Sequence, residues 1–288
     1  MFPTGGLSFE TLDLPIRDLP DRLTGLKLIQ LSDFHAEGWS LSDRLLNQAI
    51  AASNREYPDL VLLTGDFVTY KPEAIHALAP KLEQLTSRYG VYAILGNHDL
   101  LETHSRSIIT AALTQVGIRV LWNELCYPCG EGLALAGFGH QGMYHFLPDE
   151  VMAQIPENVP RLVLTHTPDC AEKLKPWRVD LQLAGHTHGG QIFIPGLGSL
   201  PAIATAFYDA IPNSLTSKIR ILRKLKRIRV NWDWDRGLHT IDRRPYSNTP
   251  NRLYTNRGLG TYAPGRLFCP PEITRIRLHP APIDRNLS

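Results

Sequence analysis

The sequence predicts an α/β fold built around a largely parallel sheet. Short apolar runs alternate with amphipathic helical segments through the first part of the chain, which is typical of βαβ units. Runs such as Asp59–Leu63 are apolar throughout, as expected for strands that are covered on both faces. The composition, with 43% hydrophobic and 20% charged residues, is that of an ordinary globular protein, and 288 residues are enough to bury a sizeable core.

Charge and cysteine content exclude several classes of protein. A net charge of +2 indicates neither a nucleic-acid nor a membrane partner for the whole chain, and four cysteines are too few for a disulfide framework. The N-terminal Met1–Gly6 lacks the basic and apolar regions of a signal peptide. No apolar stretch approaches the roughly 20 residues of a membrane span. We therefore expect a cytoplasmic protein.

The first part of the chain predicts strands and helices in alternation. Leu7–Ile16 alternates apolar and polar residues, as an edge strand does, and Leu26–Leu31 follows as a buried strand. A helix over Asp43–Arg55 is expected next, with Ser40 or Ser42 as its N-cap. The next predicted elements are a strand over Asp59–Leu63, a helix over Glu73–Ser87, a strand over Val91–Leu95 and a helix over Ser105–Val116.

The middle of the chain predicts a second sheet. Ile118–Leu121, Glu124–Tyr127 and Leu133–Phe138 are short strands joined by turns, a pattern that indicates antiparallel pairs. Arg161–Leu164 and Val179–Ala184 are buried strands. Further strand candidates are Ile192–Ile194, Arg252–Thr255 and Ile273–Leu278.

Polar side chains that can bind a metal follow five of the buried strands. Asp33 and His35 come two residues apart, so in extended backbone they face the same side. Asp66, Asn97 and His166 follow the next three such strands. Ligands collect beyond the carboxyl ends of strands in open sheets of this kind, so these side chains are expected to converge.

The fifth of these strands ends in Gly185-His186-Thr187-His188-Gly189-Gly190, whose glycines let the backbone approach a cluster closely. Alone, such a histidine pair is as typical of a solvated turn as of a pair of metal ligands. Together, seven potential ligands are enough for two metal ions, and a nitrogen-and-oxygen set without thiolate suits manganese, iron or zinc. The alternative is that each residue is an isolated cap or a core histidine. The seven are Asp33, His35, Asp66, Asn97, His166, His186 and His188.

In this order, the blocks around these residues resemble the calcineurin-like metallophosphoesterases from about residue 27 to residue 191. The resemblance implies one domain over residues 1–288, folded as a four-layer αββα sandwich of two mixed sheets flanked by helices. It implies that Asp33, His35 and His188 hold one divalent ion. It further implies that Asn97, His166 and His186 hold a second ion, that Asp66 bridges the two, and that His98 is the catalytic histidine, oriented by Asp99.

The chemistry that such a centre supports is phosphoester hydrolysis. Two divalent ions about 4 Å apart neutralise a phosphate and lower the pKa of a bound water towards about 7. His98 is not needed as a ligand and can donate a proton to the departing oxygen. We therefore predict hydrolysis of a phosphodiester or pyrophosphate bond. A nuclease or cyclic-nucleotide phosphodiesterase, and a non-catalytic metal-binding scaffold, are the alternatives, although a scaffold needs neither the full ligand set nor His98.

Two further motifs resemble a group of small bacterial phosphodiesterases. Gly189-Gly190-Gln191 and the stretch 257–261, Arg-Gly-Leu-Gly-Thr, resemble this group, which is similar to the UDP-diacylglucosamine hydrolases and implies a lipid-linked substrate. His140 departs from the group's pattern, because an aspartate is expected there. It is either a loop histidine or a substrate contact. Arg257 is either a phosphate contact or a member of an ordinary ion pair.

A segment of about residues 207–247 is longer than this resemblance implies and carries a basic stretch. Ser217–Val230 contains seven lysines and arginines and no acid, with apolar residues at helical spacing, and Trp232 and Trp234 follow. Such a helix suits peripheral contact of residues 217–234 with an anionic membrane. Nucleic acid is the less favoured partner. The alternative is a helix packed on the domain with a solvated basic face.

Overall fold

Two six-stranded sheets pack face to face in the computed structural model, which describes residues 6–141, 145–209 and 231–282. The basic stretch Ser217–Val230 lies outside the described residues. The strands are β1 (Ser8–Ile16), β2 (Leu26–Leu31), β3 (Leu60–Leu63), β4 (Val91–Ala93), β5 (Ile118–Val120), β6 (Glu124–Cys126), β7 (Ala134–Gly137), β8 (Arg161–Leu164), β9 (Leu181–Ala184), β10 (Phe193–Ile194), β11 (Gly198–Ser199), β12 (Gly237–Ile241), β13 (Asn251–Thr255) and β14 (Glu272–Pro280). The α-helices are α1 (Asp43–Arg55), α2 (Ile75–Leu82), α3 (Ser105–Gln115), α4 (Pro148–Met152), α5 (Cys170–Leu174) and α6 (Leu200–Asp209). Single 3-10 turns cover Asp21–Leu23, Pro72–Ala74, His98–Leu100, His188–Gly190 and Trp232–Trp234.

Both large sheets are mixed. The first has the strand order β1-β14-β2-β3-β4-β5, and the second has the order β12-β13-β9-β8-β7-β6. In the first sheet β14 is antiparallel to β2, while the other neighbouring pairs are parallel. In the second sheet the outer pairs β12–β13 and β6–β7 are antiparallel and the inner pairs are parallel. The parallel centres of the two sheets are β2–β3–β4–β5 and β13–β9–β8–β7.

Apolar cores between the sheets and on their outer faces define four layers. Successive residues of β3 point to opposite faces, so Leu62 packs between the sheets while Leu63 packs under the helices α1, α2 and α3. On the second sheet, Leu162 of β8 faces the first sheet and Val163 faces α4 and α5. Strands buried on both faces need apolar residues at every position, which is the pattern of these runs. The prediction of a four-layer αββα sandwich is confirmed.

The sequence predicted the ends of the first helix correctly but made the second helix too long. Helix α1 has the predicted bounds, and the Ser42 hydroxyl accepts a hydrogen bond from the Leu45 amide at 3.2 Å, as an N-cap does. The helix predicted over Glu73–Ser87 is shorter, because α2 ends at Leu82. Pro80 lies inside α2 and lacks the amide hydrogen that would donate to the His76 carbonyl, so one helical bond near the end of α2 is not made.

Two segments occupy places in the sheets that the sequence did not indicate. Ile118–Leu121 was predicted in the second sheet, but β5 pairs in parallel with β4 at the edge of the first. Gly237–Ile241, within the segment of about residues 207–247, is the edge strand β12 of the second sheet. Within the ranges that the structure describes, no helix combines the length and the apolar character that crossing a bilayer requires.

Candidate metal centre

The loops after β2, β3, β8 and β9 bring six of the seven predicted ligands into two groups. One group is Asp33, His35 and His188, and the other is Asp66, His166 and His186. In each group, one nitrogen or oxygen atom from every member lies within 4.8 Å of the others. Both sheets contribute to each group, so the centre lies where the carboxyl ends of the two sets of parallel strands meet.

The two groups are adjacent, and Asp66 lies between them. Its Oδ2 is 3.0 Å from His166 Nε2 in its own group and 3.6 Å from His35 Nε2 in the other. Within the groups, His35 Nε2 lies 3.1 Å from His188 Nε2, and His186 Nδ1 lies 3.2 Å from His166 Nε2. The bridging role of Asp66 stays a prediction.

Two of the predicted histidine ligands have a backbone carbonyl next to the ring nitrogen that points away from the two groups. His166 Nδ1 donates to the Thr64 carbonyl at 2.8 Å, and His188 Nδ1 faces the Gly260 carbonyl at 3.3 Å. Because a carbonyl oxygen only accepts, these contacts place the proton on Nδ1 and leave Nε2 to face the cluster. Metal-binding histidines are held in this way by the groups behind them.

Asn97, the seventh predicted ligand, has a buried side-chain oxygen. Among the described residues, its Oδ1 has no hydrogen-bond partner. Buried polar atoms without a partner are rare, and each one calls for an explanation such as an ion. The Asn97 oxygen, the two carboxylates and the four imidazoles form a donor set that fits divalent transition metals.

Five of the seven predicted ligands have left-handed backbone conformations, which L-residues adopt rarely. They are Asp33 (φ 52°), His35 (φ 47°), Asp66 (φ 56°), His186 (φ 72°) and His188 (φ 52°). Each such residue costs about 1–3 kcal/mol, and such strain concentrates at functional sites. The neighbouring glycines allow the tight approach, because a Cβ at Gly96 would lie 2.1 Å from Asp66 Oδ1 and one at Gly185 would lie 2.2 Å from Asp33 Oδ2.

Burial and the carboxylates set the protonation of the imidazoles. Burial lowers the pKa of His35 to about 4 and that of His186 to about 3, and it holds the pKa of His188 well below its usual value. These rings are neutral at pH 7 and have a lone pair for a cation. Burial opposes protonation of His166, but the Asp66 carboxylate outweighs it and raises the pKa of His166 to about 10. A metal ion competes with that proton.

Comparison with known proteins identifies the family. The model of the family described as "Calcineurin-like phosphoesterase" matches residues 26–190, which is more than half of the chain. The chain belongs to this family. It is 29% identical over 277 residues to "Phosphodiesterase YaeI" of Escherichia coli (strain K12), covering 94% of this chain and 88% of that protein.

Two further relatives extend the comparison. "Uncharacterized metallophosphoesterase YkuE" of Bacillus subtilis (strain 168) is 28% identical, over 90% of this chain and 81% of that one. "UDP-2,3-diacylglucosamine pyrophosphatase LpxG" of Chlamydia muridarum (strain MoPn / Nigg) is 26% identical, over 88% of this chain and 84% of that one. The predicted family is confirmed. The protein is a metal-dependent phosphoester hydrolase, with two candidate groups for its divalent metals.

In this phosphoesterase, the ring of the predicted catalytic histidine contacts a backbone carbonyl. His98 Nδ1 donates to the Thr69 carbonyl at 2.7 Å. The buried Asp99 carboxylate accepts hydrogen bonds from the amides of Phe67 at 2.8 Å and Gly96 at 2.9 Å. Asp99 therefore ties the loop of Asp66 to the loop of Asn97. The role predicted for Asp99 in orienting His98 stays a prediction.

Tyr262 is a site residue that sequence reasoning missed. Its hydroxyl oxygen lies 2.7 Å from His35 Nδ1 and 3.2 Å from His98 Nε2. The only signal was its place directly after the 257–261 motif. The Gly189-Gly190-Gln191 motif fixes the backbone at this position. Gln191 Oε1 accepts hydrogen bonds from the Thr261 hydroxyl at 2.8 Å and from the Tyr262 amide at 2.6 Å.

Arg266 was also missed, and it supports the first group from behind. It is 1% exposed, and its guanidinium donates to the carbonyls of Arg257 at 2.8 Å and His188 at 3.3 Å. Nothing in the local pattern distinguishes a buried arginine from a surface one. Arg257 itself forms ion pairs with Glu10 at 2.6 Å and Glu272 at 2.5 Å, which favours the ion-pair interpretation over a phosphate contact.

His140 lies beside the second group. The centre of its ring is 6.3 Å from that of His166 and 6.4 Å from that of His186, and its Nδ1 is 3.4 Å from the Thr167 hydroxyl. Burial lowers the pKa of His140 to about 4, so the ring is neutral at pH 7. This position favours the substrate-contact interpretation, which stays a prediction.

Proposed function

We propose that this protein hydrolyses a phosphodiester or pyrophosphate bond at a centre of two divalent ions, which are manganese, iron or zinc. The observation that supports this most directly is the position of Asp66 Oδ2 between the two groups. Asp33, His35 and His188 would hold one ion, and Asn97, His166 and His186 the other. When bound, such ions neutralise phosphate charge and supply hydroxide at neutral pH.

Two further groups of the chain position the ligand loops and supply the proton for the leaving group. The Asp33 carboxylate accepts a hydrogen bond from the His186 amide at 3.0 Å, which locks the loops after β2 and β9 together. His98 Nε2 is the ring nitrogen left free by the Thr69 contact, and we assign it the proton that the departing oxygen receives.

Activity on model esters tests this proposal. We expect the protein loaded with manganese to hydrolyse bis(p-nitrophenyl) phosphate faster than p-nitrophenyl phosphate, and EDTA to abolish both rates. Rates are measured from released nitrophenol and metal content by elemental analysis. Faster hydrolysis of the monoester would contradict the diester assignment. No hydrolysis of either ester by protein containing two ions would support the non-catalytic scaffold.

A lipid-linked substrate is the finer part of the proposal. One relative is named for a diacylated sugar nucleotide. In this chain, a set of exposed apolar side chains lies on segments next to the turn that contains His188. This set is here called the apolar rim. The rim consists of Ile194, Leu197, Leu200, Phe207 and Phe268.

Hydrogen bonds hold together the segments that carry the rim, next to the metal-binding loop. The Leu200 amide donates to the Ile192 carbonyl at 2.8 Å, and the Phe193 amide donates to the Leu267 carbonyl at 2.9 Å. A Cβ at Gly190 would lie 2.6 Å from Ser199 Cβ, so the start of α6 packs directly on the turn that contains His188. The residues from 192 to 208 include no charged side chain. Such a surface suits hydrocarbon chains attached to a substrate whose phosphates lie in the metal centre.

The rim gives a second prediction. We expect Leu197→Ser and Phe207→Ser each to raise the KM for UDP-2,3-diacylglucosamine by about 10-fold, because burying such a side chain contributes about 1.5–3 kcal/mol. Neither change should alter hydrolysis of bis(p-nitrophenyl) phosphate. Phe9→Ser, at a partly exposed phenylalanine on the edge strand β1, is the matched control.

Equal KM values for the wild type and the two rim variants would contradict the lipid-linked assignment. Faster hydrolysis of a cyclic nucleotide or a DNA oligonucleotide than of the acylated substrate would favour the alternative predicted from the sequence. Membrane contact through residues 217–234 stays a prediction. Sedimentation with anionic vesicles, with and without Ser217–Val230, measures it.

A further inference from the structure

The phenol of Tyr262 lies between a predicted metal ligand and the predicted proton donor. Its hydroxyl oxygen is 2.7 Å from His35 Nδ1 and 3.2 Å from His98 Nε2. Its ring meets that of His35 edge to face, with the ring centres 4.6 Å apart. The side chain reaches this point from the loop before β14, and the proposed reaction assigns it no role.

The contact with Thr69 decides which nitrogen of His98 takes part in proton transfer. His98 Nδ1 lies 2.7 Å from the Thr69 carbonyl, which can only accept, so Nδ1 carries a proton. Nε2 is therefore the nitrogen that gains and loses a proton, and Nε2 is the atom that Tyr262 faces. A phenol can accept a hydrogen bond from Nε2–H and can donate one to bare Nε2, so it matches both states of the ring.

The backbone around Tyr262 is fixed to the loop that carries the first metal group. The Leu259 amide donates to the Ser32 carbonyl at 3.0 Å, and the Gly260 amide donates to the Asp33 carbonyl at 2.6 Å. The Tyr262 amide donates to Gln191 Oε1 at 2.6 Å. The hydroxyl therefore has a defined position relative to His98, which is a requirement for orienting another side chain.

We propose that Tyr262 is a positioning residue that holds the His98 imidazole in line with the oxygen of the leaving group. This inference rests on the proposed phosphoesterase reaction. In that reaction the phosphorus–oxygen bond to the leaving group breaks, a new bond forms from phosphorus to the oxygen of water, and the departing oxygen takes the Nε2 proton. Tyr262 then donates its hydroxyl hydrogen bond to the bare Nε2. The attacking water gives a proton to the solvent, and His98 regains one from it.

Tyr262→Phe removes the hydroxyl and keeps the ring. A nitrophenolate leaves without a proton, whereas an alkoxide requires one. We therefore expect kcat to fall about 10-fold for a diester with an alkyl leaving group and less than about 2-fold for bis(p-nitrophenyl) phosphate. Both ions should remain bound by elemental analysis. Tyr57→Phe, at an exposed tyrosine, is the matched control and should leave both rates unchanged.

A double variant and a spectrum complete the test. If Tyr262 acts through His98, the variant with both His98→Ala and Tyr262→Phe should hydrolyse the alkyl diester no more slowly than His98→Ala alone. The ¹⁵N resonance of His98 Nε2 should shift in Tyr262→Phe. Equal losses on both leaving groups, additive losses in the double variant, or an unchanged resonance would each overturn the proposal. A wild-type protein inactive on every diester would instead refute the phosphoesterase reaction, while the resonance would still report the Tyr262–His98 contact.

Discussion

Replacing Asp66 with asparagine is expected to weaken binding of at least one metal ion by more than about 100-fold, because changes at groups behind a ligand already cost about 10–100-fold. Asp66 Oδ2 lies 3.0 Å from His166 Nε2 and 3.6 Å from His35 Nε2, so one oxygen serves both groups. In the proposed centre, the amide removes a full negative charge from between two cations. Diester hydrolysis should fall with the metal content.

The fold should survive this change, which makes the result interpretable. Asp66 Oδ1 accepts a hydrogen bond from the His98 amide at 2.9 Å, and an asparagine oxygen can accept the same bond. The two side chains also have nearly the same volume, so the contact with Gly96 is kept. Thermal unfolding of Asp66→Asn and of wild-type protein, both in EDTA, checks that the variant is folded.

Metal content after dialysis is the deciding measurement for Asp66→Asn. Elemental analysis gives the number of ions bound per chain, and calorimetric titration with manganese gives the dissociation constant of each. Asp43→Asn, which removes one exposed carboxylate outside the centre, is the matched control. Two ions bound to Asp66→Asn with wild-type affinity would refute the bridging assignment.

The sequence predicted the parts of this structure that depend on neighbouring residues. Each ligand follows an apolar run, and the end of a buried strand is a local feature. The observed bounds match the predicted ones for β2, β8 and α1. The reason is the same, because hydrophobic periodicity and a serine N-cap involve only a few neighbouring residues. Glycines beside the ligands were also informative, because only glycine leaves room at Gly96 and Gly185.

The remaining features depend on partners that are distant in the sequence. The three residues of β5 carry no information about which sheet the strand joins. Its neighbour in the sheet depends on where α3, which precedes it, packs. Asp99 adjoins His98 in sequence, yet its carboxylate binds amides of the Asp66 and Asn97 loops. Tyr262 approaches His35 across 227 positions of the chain. Such contacts are set by tertiary packing, which periodicity does not encode.

Replacing His98 with alanine is expected to leave both metal ions bound and to lower turnover about 10²–10⁴-fold on a diester with an alkyl leaving group. The backbone amide of His98, which donates to Asp66 Oδ1, is retained in the alanine variant. The imidazole itself contacts Thr69 and Tyr262 rather than filling a place in either metal group. The loss should therefore appear in kcat rather than in metal content.

The dependence on the leaving group distinguishes proton donation by His98 from a purely structural role. For bis(p-nitrophenyl) phosphate the loss in His98→Ala should be much smaller, because nitrophenolate is stable without a proton. His76→Ala, at an exposed histidine of α2, controls for the removal of an imidazole. A loss of equal size on both diesters would assign His98 to phosphate binding, and a loss of metal would assign it to the ligand set. Because Thr69 fixes the proton on Nδ1, the imidazole has one nitrogen left for chemistry, and this pair of substrates measures what that nitrogen does.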